Sequence, residues 1–192
     1  MSPIARLPVF LALAGKRAML AGGSSAAAWK AELLSAAGAQ VDVYAEEISA
    51  ELRALADAPP RGSIMLHRRA WIAGDLGTAA VAVGAFADEA DAARFAQAAR
   101  EAGVPVNVID KPAFCDFAFG AIVNRSPLVI GISTDGAAPV FAQAIRARLE
   151  MLLPKGFAAW AAAAQHWRSA VKAAELTFPA RCAFWRLFAK HP

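Results

Sequence analysis

Cysteine is scarce in this sequence. Cys115 and Cys182 are its two cysteines, and they lie far apart with no Cys-x-x-Cys spacing. Zinc sites are usually marked by closely spaced cysteine pairs, and disulfide-rich sequences belong to oxidising compartments. The scarcity therefore argues against a metal site built from protein ligands, and it predicts a protein of the reducing cytoplasm.

Charge of either sign is also sparse. Charged residues make up 19% of the chain, with a net charge of +4 and a pI near 9.4, and the basic residues are dispersed. Because no dense basic run with interleaved aromatic residues occurs, nucleic acid is not predicted as a partner. A mild positive bias suits the attraction of an acidic small molecule. Solvated helix faces explain most of the individual charges equally well.

Long hydrophobic runs are absent. The longest, around residues 76–87, is interrupted by Gly77 and Gly84 and is too short to cross a bilayer. The first residues do not combine a charged region, an apolar region and a cleavage site, so no secretory signal is expected. The sequence thus predicts neither a membrane partner nor export.

What is present is an alternation of apolar strands and amphipathic helices. Hydrophobic residues form 58% of the chain, as in a globular protein. Residues 16–22 and 40–45 read as strands on either side of a helix at 26–37, which is a β-turn-α-β unit. Further helices are predicted at 48–58, 90–103, 140–153, 157–170 and 180–190, and further strands at 63–67, 78–86, 106–110 and 128–132. The fold class indicated is α/β, with a Rossmann-like parallel sheet that binds a nucleotide.

The first turn has the pattern Gly22-x-Ser24-x-x-Ala27, close to the Gly-x-Gly-x-x-Gly/Ala fingerprint of dinucleotide-binding proteins. The first glycine makes the tight turn, and the third small residue allows the helix to pack closely on the strand. Ser24 occupies the place of the second glycine, where the backbone approaches the pyrophosphate. Its hydroxyl group can donate a hydrogen bond to a phosphate. The predicted cofactor-binding residues of the turn are Gly22, Gly23, Ser24, Ser25 and Ala26. The alternative is a small-residue turn that only packs helix against sheet.

An acidic residue about 20 positions beyond the first glycine is expected to bind the adenosine ribose. Asp42 has that spacing but lies inside the second strand. Glu46 and Glu47 follow the strand end, at the carboxyl edge of the sheet where such ligands bind. Either choice places a carboxylate at the ribose and favours NAD over NADP.

Asp110 closes the apolar strand at 106–110 and precedes a Lys111-Pro112 turn. A carboxylate at the carboxyl end of a buried strand is placed where open α/β sheets bind ligands. It is therefore a candidate general acid or base. The alternative is a structural aspartate whose side chain hydrogen-bonds the backbone of the turn.

The segments NVIDKP (107–112), CDF (115–117) and NRSPLVIGISTDG (124–136) resemble the N-terminal module of siroheme synthases. This is the family of precorrin-2 dehydrogenases and sirohydrochlorin ferrochelatases. The resemblance extends to LEMLLPKGF (149–157) and FWRLF (184–188), and so covers essentially the whole chain. The chain departs from the family at Ser24, where a third consecutive glycine is usual, and at Ala26, where valine is usual. A further departure is Phe86-Ala87, which replaces a strand-end Ala-Thr-Asp.

The resemblance implies three parts and a homodimer. Residues 1–111 would form the NAD-binding domain, residues 112–151 a central α+β dimerisation and substrate region, and residues 152–192 a small helical domain. It also implies that Glu46 and Glu47 bind the adenosine ribose.

The resemblance further implies NAD-dependent oxidation of precorrin-2 to sirohydrochlorin, followed by ferrochelation with iron as substrate. Asp110 would be the catalytic residue. The residues expected to bind the tetrapyrrole are Asn107, Lys111, Arg125, Ser133, Thr134, Asp135 and Gly136. Asp135 fits this set poorly, since its carboxylate repels an acidic substrate.

Two alternatives remain open at the level of sequence. The departures at Ser24 and Phe86 suit a chelatase without dehydrogenase activity, or a non-catalytic binding protein that has lost hydride transfer. An ordinary Rossmann dehydrogenase is disfavoured, because the sole tyrosine, Tyr44, lies in a strand and no Tyr-x-x-x-Lys pair occurs.

Overall fold

The computed structural model describes residues 2–136 and 138–190. Backbone contacts divide the chain into two compact units. The sheet unit comprises Val9–Ala118, and the hairpin unit comprises Met1–Pro8 with Phe119–Pro192. The division into 1–111, 112–151 and 152–192 stays a prediction.

The sheet unit holds five parallel strands in the order β3-β2-β1-β4-β5. Its elements are β1 (Arg17–Ala21), α1 (Ser25–Ala36), β2 (Gln40–Tyr44), α2 (Ala50–Asp57), β3 (Ser63–His67), β4 (Val81–Gly84), α3 (Glu89–Glu101) and β5 (Val106–Val108). The chain winds outward from β1 to β3 and then returns to place β4 on the other side of β1. This reversal is the topological switch point of a Rossmann-like sheet, at whose carboxyl edge ligands bind. The predicted fold class is confirmed.

The inner strands are apolar along their whole length because both faces of the sheet are covered. Met19, Ala82 and Val106 face Phe95 of α3, and all four side chains are fully buried. Alanine dominates the buried faces of α1 and α3, which allows these helices to approach the sheet closely. This packing fixes the strand ends from which the candidate site is built.

Two strands end two residues before their predicted ends. The strand expected at 78–86 spans Val81–Gly84, and the one expected at 106–110 ends at Val108, whose ladder partner is Gly84. Because β4 ends at Gly84, β5 has no neighbour to pair with beyond Val108. Asp110 therefore lies two residues past the strand, in a left-handed conformation with φ of 59°.

The hairpin unit contains the antiparallel pair β6 (Ala121–Arg125) and β7 (Leu128–Ile132), with Val123 opposite Ile130. The helices α4 (Pro139–Leu152), α5 (Phe157–Ala173) and α6 (Phe178–Phe188) follow. The sequence predicted β7 and all three helices but missed β6. No helix in the described parts of the chain is long and apolar enough to cross a membrane.

Aromatic side chains join α5 to α6. Trp160 of α5 stacks on Phe188 of α6 with ring centroids 5.5 Å apart, and the ring of Trp167 of α5 lies 6.3 Å from that of Phe184 of α6. Such contacts stabilise a small helical core. Trp160 and Trp167 therefore pack α5 against α6.

Candidate active site

The turn between β1 and α1 is packed tightly against the loop that follows β2. Gly22 adopts φ of 123°, a conformation that favours glycine, and its amide donates to the Tyr44 carbonyl oxygen at 2.9 Å. A Cβ on Gly23 would overlap the backbone oxygen of Glu47. The Ser49 amide in turn donates to the Gly23 carbonyl oxygen at 2.8 Å. Both glycines are therefore needed to hold the two loops together.

Two helix N-termini open onto one cavity beside this turn. The hydroxyl oxygen of Ser24 caps α1 by accepting from the Ala27 amide at 3.3 Å, and Ser49 caps α2 by accepting from the Leu52 amide at 3.2 Å. The cavity has a volume of about 430 Å³ and is lined by Gly23, Ser24, Ser25, Glu47, Ile48 and Ser49. Helix N-termini carry free amide groups and the positive ends of the helix dipoles, which suit a phosphate group.

The three candidate ribose carboxylates lie in different surroundings. Glu47 lines the cavity, and Glu46 is exposed next to it. Asp42 accepts a hydrogen bond from Arg17 Nε at 2.5 Å and lies 3.1 Å from His67 Nε2, so its oxygens are engaged on the face of the sheet. This arrangement favours Glu47 for the ribose.

The sequence reasoning missed Glu51, an exposed residue in the first turn of α2. Hydrogen bonds from its own backbone amide and from the hydroxyl groups of Ser49 and Ser25 lower the pKa of Glu51. Its carboxylate thus lies beside the N-termini of α1 and α2. The Ser49-x-Glu51 spacing at a helix start was the signal available in the sequence.

Asp110 is exposed at the carboxyl edge of the same sheet that carries the glycine turn. The Lys111 amide donates to the Val108 carbonyl oxygen at 3.2 Å, closing the turn in which Asp110 lies. Because β1 and β5 flank β4, Asp110 and the turn after β1 share one edge of the sheet. That shared edge is the geometric basis of the candidate site.

Asn107 and Cys115 hold the chain after Asp110 in place. The buried side chain of Asn107 donates through Nδ2 to the Phe117 carbonyl oxygen at 2.8 Å. Cys115 Sγ accepts from the Val108 amide at 3.2 Å and donates to the Lys111 carbonyl oxygen at 3.3 Å. Asn107 therefore supports the segment that follows Asp110, and its contact with substrate stays a prediction, as does that of Lys111.

A second residue missed from the sequence is Lys30 of α1, with only 7% of its surface exposed. Loss of water around the ammonium group lowers the pKa of Lys30, while attraction by Asp110 and Cys115 partly offsets that effect. Lys30 follows Ala27 by three residues and precedes Leu34 by four, both of them buried. Helical spacing alone could have placed it on the buried face.

The predicted substrate loop, Ser133–Gly136, joins β7 to the N-terminus of α4. Asp135 and Gly136 both have positive φ, and the Ser133 hydroxyl oxygen accepts from the Asp135 amide at 3.3 Å. The guanidinium Nε of Arg6 donates to the Asp135 carboxylate. Arg6 was not predicted to take part, and its charge offsets the negative charge that made Asp135 unsuitable for an acidic ligand.

Arg125 lies elsewhere in the hairpin unit, at the C-terminus of α4. Its Nε donates to the Leu153 carbonyl oxygen at 2.6 Å, and a terminal nitrogen donates to the Glu150 carbonyl oxygen at 3.4 Å. These bonds satisfy carbonyl groups that a helix end leaves free. The contacts support a structural role, and substrate binding by Arg125 stays a prediction.

Within residues 2–136 and 138–190, no group of three or more His, Cys, Asp or Glu side chains is placed to hold a metal ion.

Two family models match the chain. One is described as putative NAD(P)-binding and covers residues 9–121. The other is described as sirohaem biosynthesis protein central and covers residues 125–152. The boundary between the matches falls within the hairpin β6–β7.

Curated siroheme synthases are similar to the chain over most of its length. Those of Pseudomonas paraeruginosa and Azotobacter vinelandii are 41% identical over 179 residues, and that of Neisseria meningitidis is 39% identical over 178 residues. Each alignment covers 93% of this chain but only 36% to 38% of the relative. The chain thus spans less than two fifths of the length of these relatives.

Among solved structures, the precorrin-2 dehydrogenase SirC has a similar fold. It superposes with a TM-score of 0.70 over 96% of this chain and 88% of that one, at 20% sequence identity. At this identity the match concerns the fold alone.

Proposed function

Because the chain belongs to the family of NAD(P)-binding modules that form the N-terminal part of siroheme synthases, we propose that it is a dehydrogenase of siroheme biosynthesis. It oxidises precorrin-2 to sirohydrochlorin with NAD. The observation that carries this proposal is the placement of Asp110 at the same sheet edge as the cavity beside Gly23.

The lining of the cavity fits a dinucleotide. The free amide groups at the starts of α1 and α2 would bind the pyrophosphate, together with Ser24, Ser25 and Ala26 of the glycine turn. Glu47, with Glu46 beside it, would accept hydrogen bonds from the ribose hydroxyl groups. A carboxylate there would repel the additional phosphate of NADP, which favours NAD. Bound NAD supplies the acceptor for the hydride.

Asp110 is the proposed general base. Oxidation of precorrin-2 removes a hydride and a proton from the macrocycle, and a carboxylate oxygen of Asp110 takes the proton. Because Asp110 is exposed, it can then release that proton to water. The closed turn around it limits the positions that the carboxylate can occupy.

The loop Ser133–Gly136 is proposed to bind the peripheral carboxylates of the tetrapyrrole. Backbone amide groups and the hydroxyl groups of Ser133 and Thr134 would act as donors. Arg6 offsets the charge of Asp135, which removes the repulsion expected from the sequence. Lys111 follows Asp110 directly and would add a further cation.

Ferrochelation is proposed as a second activity, with ferrous iron entering the macrocycle as substrate and Asp110 accepting pyrrole protons. A chelatase without dehydrogenase activity is the second candidate. Phe86 favours it, because its ring packs against Phe95 with centroids 5.2 Å apart and brings no hydroxyl group to the end of β4.

The test is anaerobic incubation of the purified protein with precorrin-2 and either NAD or NADP, followed by absorbance. We expect sirohydrochlorin to form with NAD and much more slowly with NADP. Asp110→Asn should remove both oxidation and metal insertion while leaving NAD affinity unchanged. Glu47→Gln is the matched control, since it should weaken NAD binding and spare metal insertion. Metal insertion without oxidation in the unmodified protein would support the chelatase alone, and full activity of Asp110→Asn would refute the role of Asp110.

A further inference from the structure

The outer edge of β5 is closed by the segment that follows Asp110. Within the described part of the chain β5 pairs with β4 on one side only, and an edge strand presents amide and carbonyl groups without a ladder partner. The Asp116 amide donates to the Val106 carbonyl oxygen at 2.8 Å, and the Asp116 carboxylate accepts from the Val106 amide at 3.2 Å. Arg100 of α3 donates through Nε to the same carboxylate at 2.9 Å. The chain after Asp110 is therefore folded back onto β5 and tied to α3.

The thiol of Cys115 occupies the same edge at the end of the strand. Its Sγ lies 3.2 Å from both the amide nitrogen and the carbonyl oxygen of Val108, and 3.3 Å from the Lys111 carbonyl oxygen. Asn107 donates to the sulfur through Nδ2 at 3.4 Å. Because a thiol both accepts and donates, it can accept from the Val108 amide and donate to the Lys111 carbonyl oxygen at once. The half-buried side chain thus joins the strand end to the turn that follows it.

Asp110 lies between the two backbone positions that the thiol joins. Its φ of 59° is uncommon outside glycine, and such a conformation persists where surrounding bonds hold it. The turn is held by the bond from the Lys111 amide to the Val108 carbonyl oxygen, at 3.2 Å, and by the thiol. The direction in which the Asp110 side chain leaves the backbone therefore depends on Cys115.

We propose that Cys115 is a positioning residue for Asp110, whose thiol closes residues 109–114 into a fixed loop and so holds the carboxylate at the carboxyl edge of the sheet. The catalytic consequence rests on the proposed function, whereas the closure of the loop does not. The sulfur itself touches neither substrate nor cofactor and acts through the backbone on either side of Asp110.

The kinetic test uses Cys115→Ala, which removes the thiol and its bonds. We expect kcat for precorrin-2 oxidation to fall by about tenfold or more with KM for NAD little changed, because a misplaced base slows the chemical step. Cys115→Ser should recover much of the rate, since a hydroxyl group also donates and accepts. Cys182→Ala, at the other half-buried cysteine, is the matched control and should behave like the unmodified protein. A full rate in Cys115→Ala, or a Cys115→Ser variant as slow as Cys115→Ala, would overturn the proposal.

Two further comparisons separate the positioning of Asp110 from support of the fold. Cys115→Ala combined with Asp110→Asn should be no slower than Asp110→Asn alone, because the thiol acts through the carboxylate. The unfolding temperature of Cys115→Ser should stay close to that of the unmodified protein, which keeps the kinetic comparison valid if Cys115→Ala folds poorly. Additive losses, or a loss of rate that follows the loss of folded protein, would overturn the proposal.

The contact itself is tested by amide hydrogen exchange followed by NMR. The Val108 amide should exchange about tenfold faster or more in Cys115→Ala than in the unmodified protein, because its acceptor has been removed. The Ala82 amide, which donates to the Pro105 carbonyl oxygen at 2.9 Å, is the internal control and should keep its protection. An unchanged rate at Val108 would refute the contact whatever the activity. If exchange at Val108 rises but the unmodified protein does not oxidise precorrin-2, the contact stands and the proposed function fails.

Discussion

Gly23 illustrates how single residues define the candidate nucleotide site. Its lack of a side chain lets the turn after β1 lie directly against the backbone of Glu47, while the Ser49 amide bonds to its carbonyl oxygen at 2.8 Å. Ser24 adds a different contribution, since its hydroxyl group already caps α1. The residue that departs from the glycine fingerprint therefore stabilises the helix start that a phosphate would use.

Gly23→Ala should disrupt the nucleotide site. The new Cβ would overlap the backbone of Glu47, so the turn after β1 and the loop after β2 must move apart. We expect the free energy of unfolding to fall by about 1–3 kcal/mol. We also expect weak NAD binding. Denaturant unfolding and NAD titration measure the two effects. Gly74→Ala is the matched control, because nothing lies within 4 Å of its added Cβ. Normal NAD affinity in Gly23→Ala would contradict the assignment of the turn.

The pair Arg6 and Asp135 makes a second prediction at the residue scale. Arg6→Gln should weaken sirohydrochlorin binding by about threefold to fivefold, since exposed charge pairs contribute up to about 1 kcal/mol. Adding Asp135→Asn should restore the affinity, because no uncompensated carboxylate remains in the loop. Tetrapyrrole titration at low salt measures both variants. An affinity that the second change fails to restore would show that Arg6 acts in another way.

At the scale of elements, the connection from β3 to β4 depends on one half-buried carboxylate. A short 3₁₀ helix (Ala73–Leu76) lies in this connection, with Leu76 fully buried. Asp75 accepts two hydrogen bonds from Arg69, at 2.8 and 2.7 Å, and one from the Ile72 amide at 2.9 Å. The carboxylate thus fixes a segment that has little regular structure of its own.

Asp75→Asn should destabilise the protein in a pH-dependent way. The Arg69 guanidinium lowers the pKa of Asp75 in the folded state, so its stabilisation is present above the unfolded pKa of about 3.9. That stabilisation is lost as the pH falls through the lower pKa that Asp75 has in the folded protein. The difference in unfolding free energy between the two proteins should therefore shrink from pH 6 towards pH 3, by denaturant titration. Asp57→Asn, at the end of α2, is the control. If the difference in unfolding free energy between Asp75→Asn and the unmodified protein did not depend on pH, the role of the Arg69–Asp75 pair would be contradicted.

At the scale of the whole molecule, the hairpin unit leaves apolar surface uncovered. Val140 and Phe141 at the start of α4 and Met151 and Leu152 at its end are all exposed, and α4 buries none of its side chains. Among the residues that the structure describes, the unit's sheet consists of β6 and β7, and two-stranded sheets are marginal in water by themselves. Apolar patches of this kind commonly mark an interface. These features support the prediction of a homodimer.

Phe141→Asp should therefore shift the protein from dimer to monomer, because a buried, unpaired carboxylate opposes association. Light scattering after size exclusion measures the mass directly. Met65→Asp, at an exposed apolar residue of β3 in the sheet unit, is the matched control and should leave the mass unchanged. A monomer in the unmodified protein, or a dimer lost only in Met65→Asp, would contradict this location of the interface.

The sequence by itself determined the order of elements in the sheet unit and the fold class. Hydrophobic periodicity and the turn residues are local signals, and the strand at Ser63–His67 was predicted to the residue. The hairpin strand β6 was missed, since Ala121–Arg125 mixes apolar and polar residues and becomes a strand by pairing with β7. Strand ends also depended on neighbours, as the end of β4 at Gly84 left Asp110 outside β5.

Only the tertiary structure decided which charges meet. The separation of Arg6 and Asp135 along the chain carries no sign of their contact, because such contacts arise when loops and terminal segments pack. The same holds for Asp42, whose engagement by Arg17 and His67 leaves Glu47 as the carboxylate that lines the cavity. Local propensity set the elements of this protein, and long-range packing set the electrostatics of its candidate site.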